Sequence, residues 1–223
     1  MFARNDNGTS LKDHLRQDEF FVNNDTLTII DDYNIVDIKD DAISFYKDSF
    51  RYTGVRNIRI YFQIKPVKDK RMEEIRDLAH SLGINDNKFL TFCVFLIKGF
   101  YPKHDYIQQI VFKKKNKYKL NKAIDFIYTM DSIGITVTLH PYSSLDFDPP
   151  FHGRYWLTDN KGYIVDGSLQ TYPTGRVFAQ LMDDENFEII KHLLFDRCIL
   201  HNANDFDKLT LDDLRNFKHL FPL

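Results

Sequence analysis

Asn57-Ile58-Arg59-Ile60-Tyr61-Phe62-Gln63-Ile64 carries the strand signal from which the fold can be read. Ile58, Ile60 and Phe62 fall on one face and Arg59 and Tyr61 on the other, the two-residue period of a pleated strand. Pro66 then opens a segment in which Met72, Ile75, Leu78, Ala79 and Leu82 recur at helical spacing, with Gly83 at its end. A strand leading directly into an amphipathic helix is the repeating unit of an α/β fold.

The same logic extends in both directions. Residues 120–133 predict a helix with Ala123, Ile124, Ile127, Tyr128 and Met130 on its apolar side, and Gly134 leads from it into the strand Ile135-Thr136-Val137-Thr138-Leu139. Residues 89–98 are nearly all apolar and β-prone, which predicts a central strand covered on both faces. Residues 106–113 predict another strand. A hairpin over 153–158 and 163–165, turned by Asn160-Lys161-Gly162, comes next. Then come a strand at 177–181, a helix at 186–195 with Asp183-Asp184-Glu185 favouring its N-terminus, and a last helix from Thr210, with Asp213 completing a capping-box-like start. On the N-terminal side, Ala42, Ile43, Phe45, Tyr46 and Phe50 predict a helix after Asp40, Thr26–Ile30 predicts an outer strand, and Thr9 or Ser10 could cap a short helix through Arg16. The pattern is that of an α/β protein, a mixed β-sheet flanked by helices. The more polar residues 1–56 read as an N-terminal arm or small subdomain, and residues 57–223 as the main domain.

The 223 residues suffice for one substantial domain with a hydrophobic core. No apolar run reaches the length of a membrane span, and Met1-Phe2-Ala3-Arg4-Asn5-Asp6-Asn7 has no apolar stretch of the kind a secretory signal carries. The two cysteines, Cys93 and Cys198, with Cys93 inside an apolar run and so expected as a buried thiol, suit a reducing, cytoplasmic setting. A net charge of −2 argues against a general nucleic-acid coat protein and leaves room for a local phosphate-binding cleft. No metal or cofactor is expected: carboxylate, His and Cys clusters at ligand spacing are missing, as are a Gly-rich phosphate loop, a G-x-S-x-G elbow and a dinucleotide fingerprint.

Chemistry concentrates in His152-Gly153-Arg154-Tyr155-Trp156-Leu157-Thr158-Asp159, followed by Gly167-Ser168-Leu169-Gln170. A metal-independent phosphodiester site needs a nucleophile for phosphorus, donors for the non-bridging oxygens and an acid for the leaving oxygen. His152 could be the nucleophile or the acid and base. Arg154, two residues along, would share its face and offer a planar fork to phosphate. Asp159 could orient either group, Gly167 and Ser168 could offer a close backbone approach, an amide and a hydroxyl, and Trp156 is expected to pack in the core. An exposed hairpin whose His and Arg face solvent is the plain alternative.

This spacing resembles the phospholipase D superfamily, whose signature runs His-x-Lys, four residues, Asp, about six residues, Gly-Ser-x-Asn. His152, Arg154, Asp159, Gly167 and Ser168 fall on it, while Arg154 replaces the lysine, Gln170 the asparagine, and Asp166 is one extra residue before the glycine. The resemblance covers roughly residues 135–195 and implies a phospholipase D-like fold. It implies a phosphodiesterase, a nuclease above all, with a phosphohistidine at His152, phosphate oxygens held by Arg154 and Ser168, and substrate contacts at Gly167 and Gln170. A single motif per chain implies a homodimer that brings two copies together. The departures also fit a non-catalytic module, like the phosphoinositide-binding domain at the C-terminus of some endosomal proteins, holding a lipid headgroup or a nucleic-acid backbone.

Two further features could serve such a ligand. His140 closes a predicted strand, where ligands bind in open sheets, or is simply a loop histidine before Pro141. Lys113, Lys114 and Lys115 lead the densest cationic run, with Tyr118 available for stacking on nucleic acid, or anionic lipid as the other partner; a solvated loop is the plain alternative.

Overall fold

A computed structural model describes residues 24–31, 35, 38–64, 69–97, 106–143, 154–166, 179–192 and 206–222. Its elements run β1 (Thr26–Ile30), α1 (Asp40–Phe50), β2 (Asn57–Ile64), α2 (Asp69–Ser81), α3 (Asn87–Ile97), α4 (Ile107–Val111), α5 (Lys114–Asp131), β3 (Thr136–Ser143), β4 (Tyr155–Leu157), β5 (Gly162–Val165), β6 (Ala179–Leu181), α6 (Asp184–His192) and α7 (Leu211–Lys218). The strands form one mixed sheet in the order β3-β2-β1-β4-β5-β6. β1, β2 and β3 are parallel, and β4, β5 and β6 are each antiparallel to the preceding neighbour in that order. The α/β class and the mixed sheet flanked by helices are as the sequence predicts.

One face of the sheet carries Leu27, Ile29, Ile58, Ile60, Phe62, Val137, Leu139 and Trp156 into the main core, against the apolar faces of α1, α3 and α5. Trp156 is buried as expected, stacked on Phe50 of α1 with ring centroids 6.0 Å apart. The opposite face holds a smaller cluster, Ile30, Tyr61, Tyr142, Leu157, Met182 and Phe187. Cys93 is a buried free thiol, its pKa pushed well up by burial.

β1 is an inner strand, not an outer one: it lies between β2 and β4, and Leu27, Ile29 and Ile30 are fully buried. Its short span of alternating Thr and aliphatic residues resembles an edge strand because Thr28, although polar, is buried as well. A boundary after residue 56 therefore cuts through the sheet rather than between units, since Thr26–Ile30 and Asp40–Phe50 both build the core. The short helix expected through Arg16 lies outside the described residues.

Residues 89–98 were expected as a strand, yet Asn87–Ile97 is helical. Every residue from Phe89 to Ile97 is buried, and a helix buried all round shows neither a helical nor a strand period. Phe62 of β2 meets Phe95 at 5.4 Å, and Phe217 of α7 meets Phe92 at 4.8 Å, so α3 is enclosed between sheet and C-terminal helix.

The strand expected over 106–113 is instead the short helix α4 followed by the first residues leading into α5. Asn116, itself buried, explains how so short a helix ends inside the protein: its Nδ2 donates to the Ile110 and Val111 carbonyls at 2.8 and 3.2 Å. Asn116→Ala is expected to destabilise the fold by about 1–3 kcal/mol, because two buried acceptors lose their donor; a urea titration with unchanged slope would measure it, and a loss under about 0.5 kcal/mol would count against this role.

Two glycines have backbone-specific work. Gly134 sits at φ 80°, the left-handed turn that sends the chain from α5 into β3. Gly162 was expected in the hairpin turn but opens β5, where a Cβ would lie 2.6 Å from Leu157 Cδ2 and 3.1 Å from Phe187 Cδ2. It is chiefly the Leu157 side chain on the paired strand β4, backed by Met182 and Phe187, that leaves no room for a Cβ there. At the C-terminal end Thr210 caps α7 as expected, and Asp213 completes the capping box. Asp183 accepts from the Asn186 N–H at 2.7 Å at the head of α6.

Candidate functional site at the carboxyl edge of the parallel strands

β1 leaves toward β2 on one side, whereas the chain after β3 crosses to β4 on the other. The strand order therefore diverges at the carboxyl end of β1, the place where open α/β sheets leave a crevice for ligands. Asp31 directly follows β1 there, and Arg154 directly precedes β4, whose Tyr155 is paired with Ile30.

Arg154 is held on two sides. Its Nε lies 3.8 Å from Asp31 Oδ1, and its Nη1 donates to the Asp166 carbonyl at 3.2 Å. Asp31 is only 1% exposed, while a quarter of the Arg154 side chain remains open to solvent. The Arg154 cation near the Asp31 carboxylate offsets part of the desolvation of that acid. Sequence reasoning missed Asp31; an acid immediately after an apolar strand is its one signal, and the partner lies over a hundred positions away in sequence.

Asp159 does not join this pair. It sits in the turn beyond the far end of β4, about 16 Å along an extended chain from Arg154. There its carbonyl accepts from Lys191 Nζ at 3.2 Å. The place next to the guanidinium that the sequence suggested for Asp159 is taken by Asp31. His152, Gly167, Ser168 and Gln170 lie outside the described residues.

His140 is not a loop residue, because β3 continues through it to Ser143. It pairs with Tyr61 in register, and the two rings stack at 4.8 Å. Its Nε2 lies 2.8 Å from Thr138 Oγ1. Burial lowers its pKa from 6.5 to about 4, with the charges of Arg59 and Lys208 adding to the shift. The imidazole is therefore neutral at neutral pH and does not serve there as a cationic phosphate ligand. Because the folded form binds its proton less readily than the unfolded chain, its contribution is complete above pH 6.5 and is lost as pH falls toward 4. Unfolding free energy should drop by up to about 3 kcal/mol across that window, and His140→Gln should flatten the profile. Chemical denaturation at successive pH values tests this; an equally steep fall in His140→Gln would assign the effect elsewhere.

In register across the sheet, Tyr155, Ile30, Tyr61 and His140 form one row, so Arg154 and His140 stand roughly three strand spacings, about 14 Å, apart. They do not converge on one phosphate. Lys113, Lys114 and Lys115 are exposed and open α5, with Lys113 at the N-cap and no acid in the first turn. The four residues between α5 and β3 force the helix to run back antiparallel to the strand, which sets its N-terminus at the same end of the molecule as the strands' carboxyl ends.

Among the described residues no three His, Cys, Asp or Glu side chains gather as a metal would require, and no helix is long and apolar enough to cross a membrane. In comparisons with known proteins, the chain matches no family model, no curated sequence and no solved structure.

Proposed function

We propose that the chain binds an extended phosphate-bearing ligand, a nucleic-acid backbone, along the end of the sheet that carries Arg154. The carrying observation is that Arg154 is held where the strand order diverges, with a quarter of its side chain open to solvent. Lys113–Lys115 support the reading. Cations at a helix N-terminus oppose the helix dipole, and a bound anion relieves both the repulsion and the unmet N–H groups. Arg154 and Lys113–Lys115 stand on separate elements at the same end of the fold, which suits a ligand that spreads several phosphates better than one small ester. The phospholipase D-like hairpin is the sequence support for phosphate as the group recognised.

A second reading, a metal-independent phosphodiesterase, rests on the His152-x-Arg154 spacing with Gly167-Ser168 following. In it His152 attacks phosphorus in a homodimer, and the partner copy's equivalent of that residue protonates the leaving oxygen. The remoteness of Asp159 from Arg154 favours binding over turnover, because that member of the proposed constellation lies at the far end of β4.

Both readings are tested by incubating the chain with single- and double-stranded nucleic acid in EDTA, and with phosphoinositide vesicles. Salt-sensitive retention of nucleic acid without cleavage supports the first. Cleavage lost in His152→Ala replaces it with the second, and retention only by the vesicles makes the ligand a lipid headgroup.

A further inference from the structure

On the sheet face opposite the main core, and at the other end of β4 from Arg154, lies a cavity of about 210 Å³ lined by Thr26, Thr28, Arg59, Thr158, Asp159 and Lys191. We infer that this cavity is a second, separate site that takes a small phosphorylated polyol, with the phosphate against Thr28, Arg59 and Lys191 and the hydroxyls against Asp159.

Thr28 carries the inference furthest. It is 6% exposed on an inner strand, and its hydroxyl has no hydrogen-bond partner among the described residues. Its oxygen opens onto the cavity rather than being sealed inside the protein, so it is available to a ligand or to water. The other two threonines are committed: Thr26 Oγ1 donates to Asp25 Oδ1 at 3.0 Å, and Thr158 Oγ1 to the Lys161 carbonyl at 3.3 Å.

Arg59 stands beside Thr28 in register. It makes no ion pair or hydrogen bond among the described residues, although its charge is felt by Tyr61 and His140 on the same face. Lys191 is held at the rim by the Asp159 carbonyl at 3.2 Å and by the Phe187 ring, 5.3 Å from its Nζ. A guanidinium on a strand, a tethered ammonium and a hydroxyl that can donate or accept make a corner dominated by donors, which favours an anion with several acceptor oxygens. Asp159, acceptor-only and without an ion-pair partner among the described residues, supplies the opposite character one step away and selects hydroxyl donors. The volume is below the roughly 300–1,000 Å³ of pockets for larger ligands, so a phosphate on a short polyol fits and a dinucleotide does not.

Isothermal titration of the full chain with ribose 5-phosphate, inorganic phosphate and ribose tests the inference without any polymer present, so its outcome is independent of the nucleic-acid reading. Saturable binding of ribose 5-phosphate, weaker binding of inorganic phosphate and none of ribose are expected. Thr28→Val, which keeps shape and removes the hydroxyl, and Arg59→Gln should each weaken binding about tenfold or more, with the melting temperature as the check on folding. No saturable binding at millimolar concentration, equal binding of ribose, or affinity unchanged in both variants would overturn it.

Discussion

A chain beginning at Asn57 is expected not to fold. Removing residues 1–56 takes away β1, which joins β2 to β4 inside the sheet, and α1, whose Tyr46 and Phe50 pack against Trp156. Leu27, Ile29, Ile30, Ala42, Ile43, Tyr46 and Phe50 would leave the core together. At about 1.5–3 kcal/mol for each larger apolar side chain, that loss is on the order of 10 kcal/mol or more, comparable with the whole stability of a typical domain. The strands left behind would also expose two unpaired edges, which invites aggregation. Circular dichroism and a thermal melt of residues 57–223 decide the matter: a cooperative transition near that of the full chain would show that β1 is dispensable.

The second large effect is expected at Arg154. Arg154→Met should cost about 1–3 kcal/mol, because it removes the cation that lies 3.8 Å from the buried Asp31 carboxylate. Replacing both, Asp31→Asn with Arg154→Met, should recover a large part of that loss, since no buried charge then remains. A double-mutant cycle by urea titration reads the coupling directly. If the single and double variants were equally destabilised, the pair would not be coupled and the carboxylate would be satisfied by other groups. For functional work Arg154→Lys is the appropriate change, as it keeps a cation in reach of Asp31 while removing the fork.

The parts of the fold visible in the sequence are those where one physical signal dominates. Asn57–Ile64 alternates cleanly because one face of β2 is core and the other carries Arg59 and Tyr61. Thr210 and Asp213 are legible because a capping box is local chemistry, three residues apart. Asn87–Ile97 was illegible as a helix for the opposite reason, since burial on all sides erases periodicity. α4 was misread because its end depends on a side chain, Asn116, from the next element. Thr26–Ile30 looked peripheral because strand position is set by pairing partners that follow it by dozens of residues.

The candidate site was legible only in part. Arg154 could be singled out by its spacing from His152 and its fit to phosphate. That Asp31, not Asp159, stands beside it follows from β4 pairing antiparallel to β1, a long-range fact without local trace. Thr28, Arg59 and Lys191 were not found for the same reason, as three unremarkable residues on separate elements meet only when the sheet is assembled.

The central claim, that the Arg154 end of the sheet binds a phosphate backbone, is tested most directly by fluorescence anisotropy with a single-stranded oligonucleotide in EDTA over a range of salt. Wild-type chain is expected to bind with a marked salt dependence, and a variant with Lys113, Lys114 and Lys115 all changed to Ala to lose about two units of slope in log affinity against log salt. Arg154→Lys should weaken binding by a smaller amount while leaving the melting temperature close to that of the wild type. Absence of salt-sensitive binding, or a slope unchanged by removal of the three lysines, would contradict it.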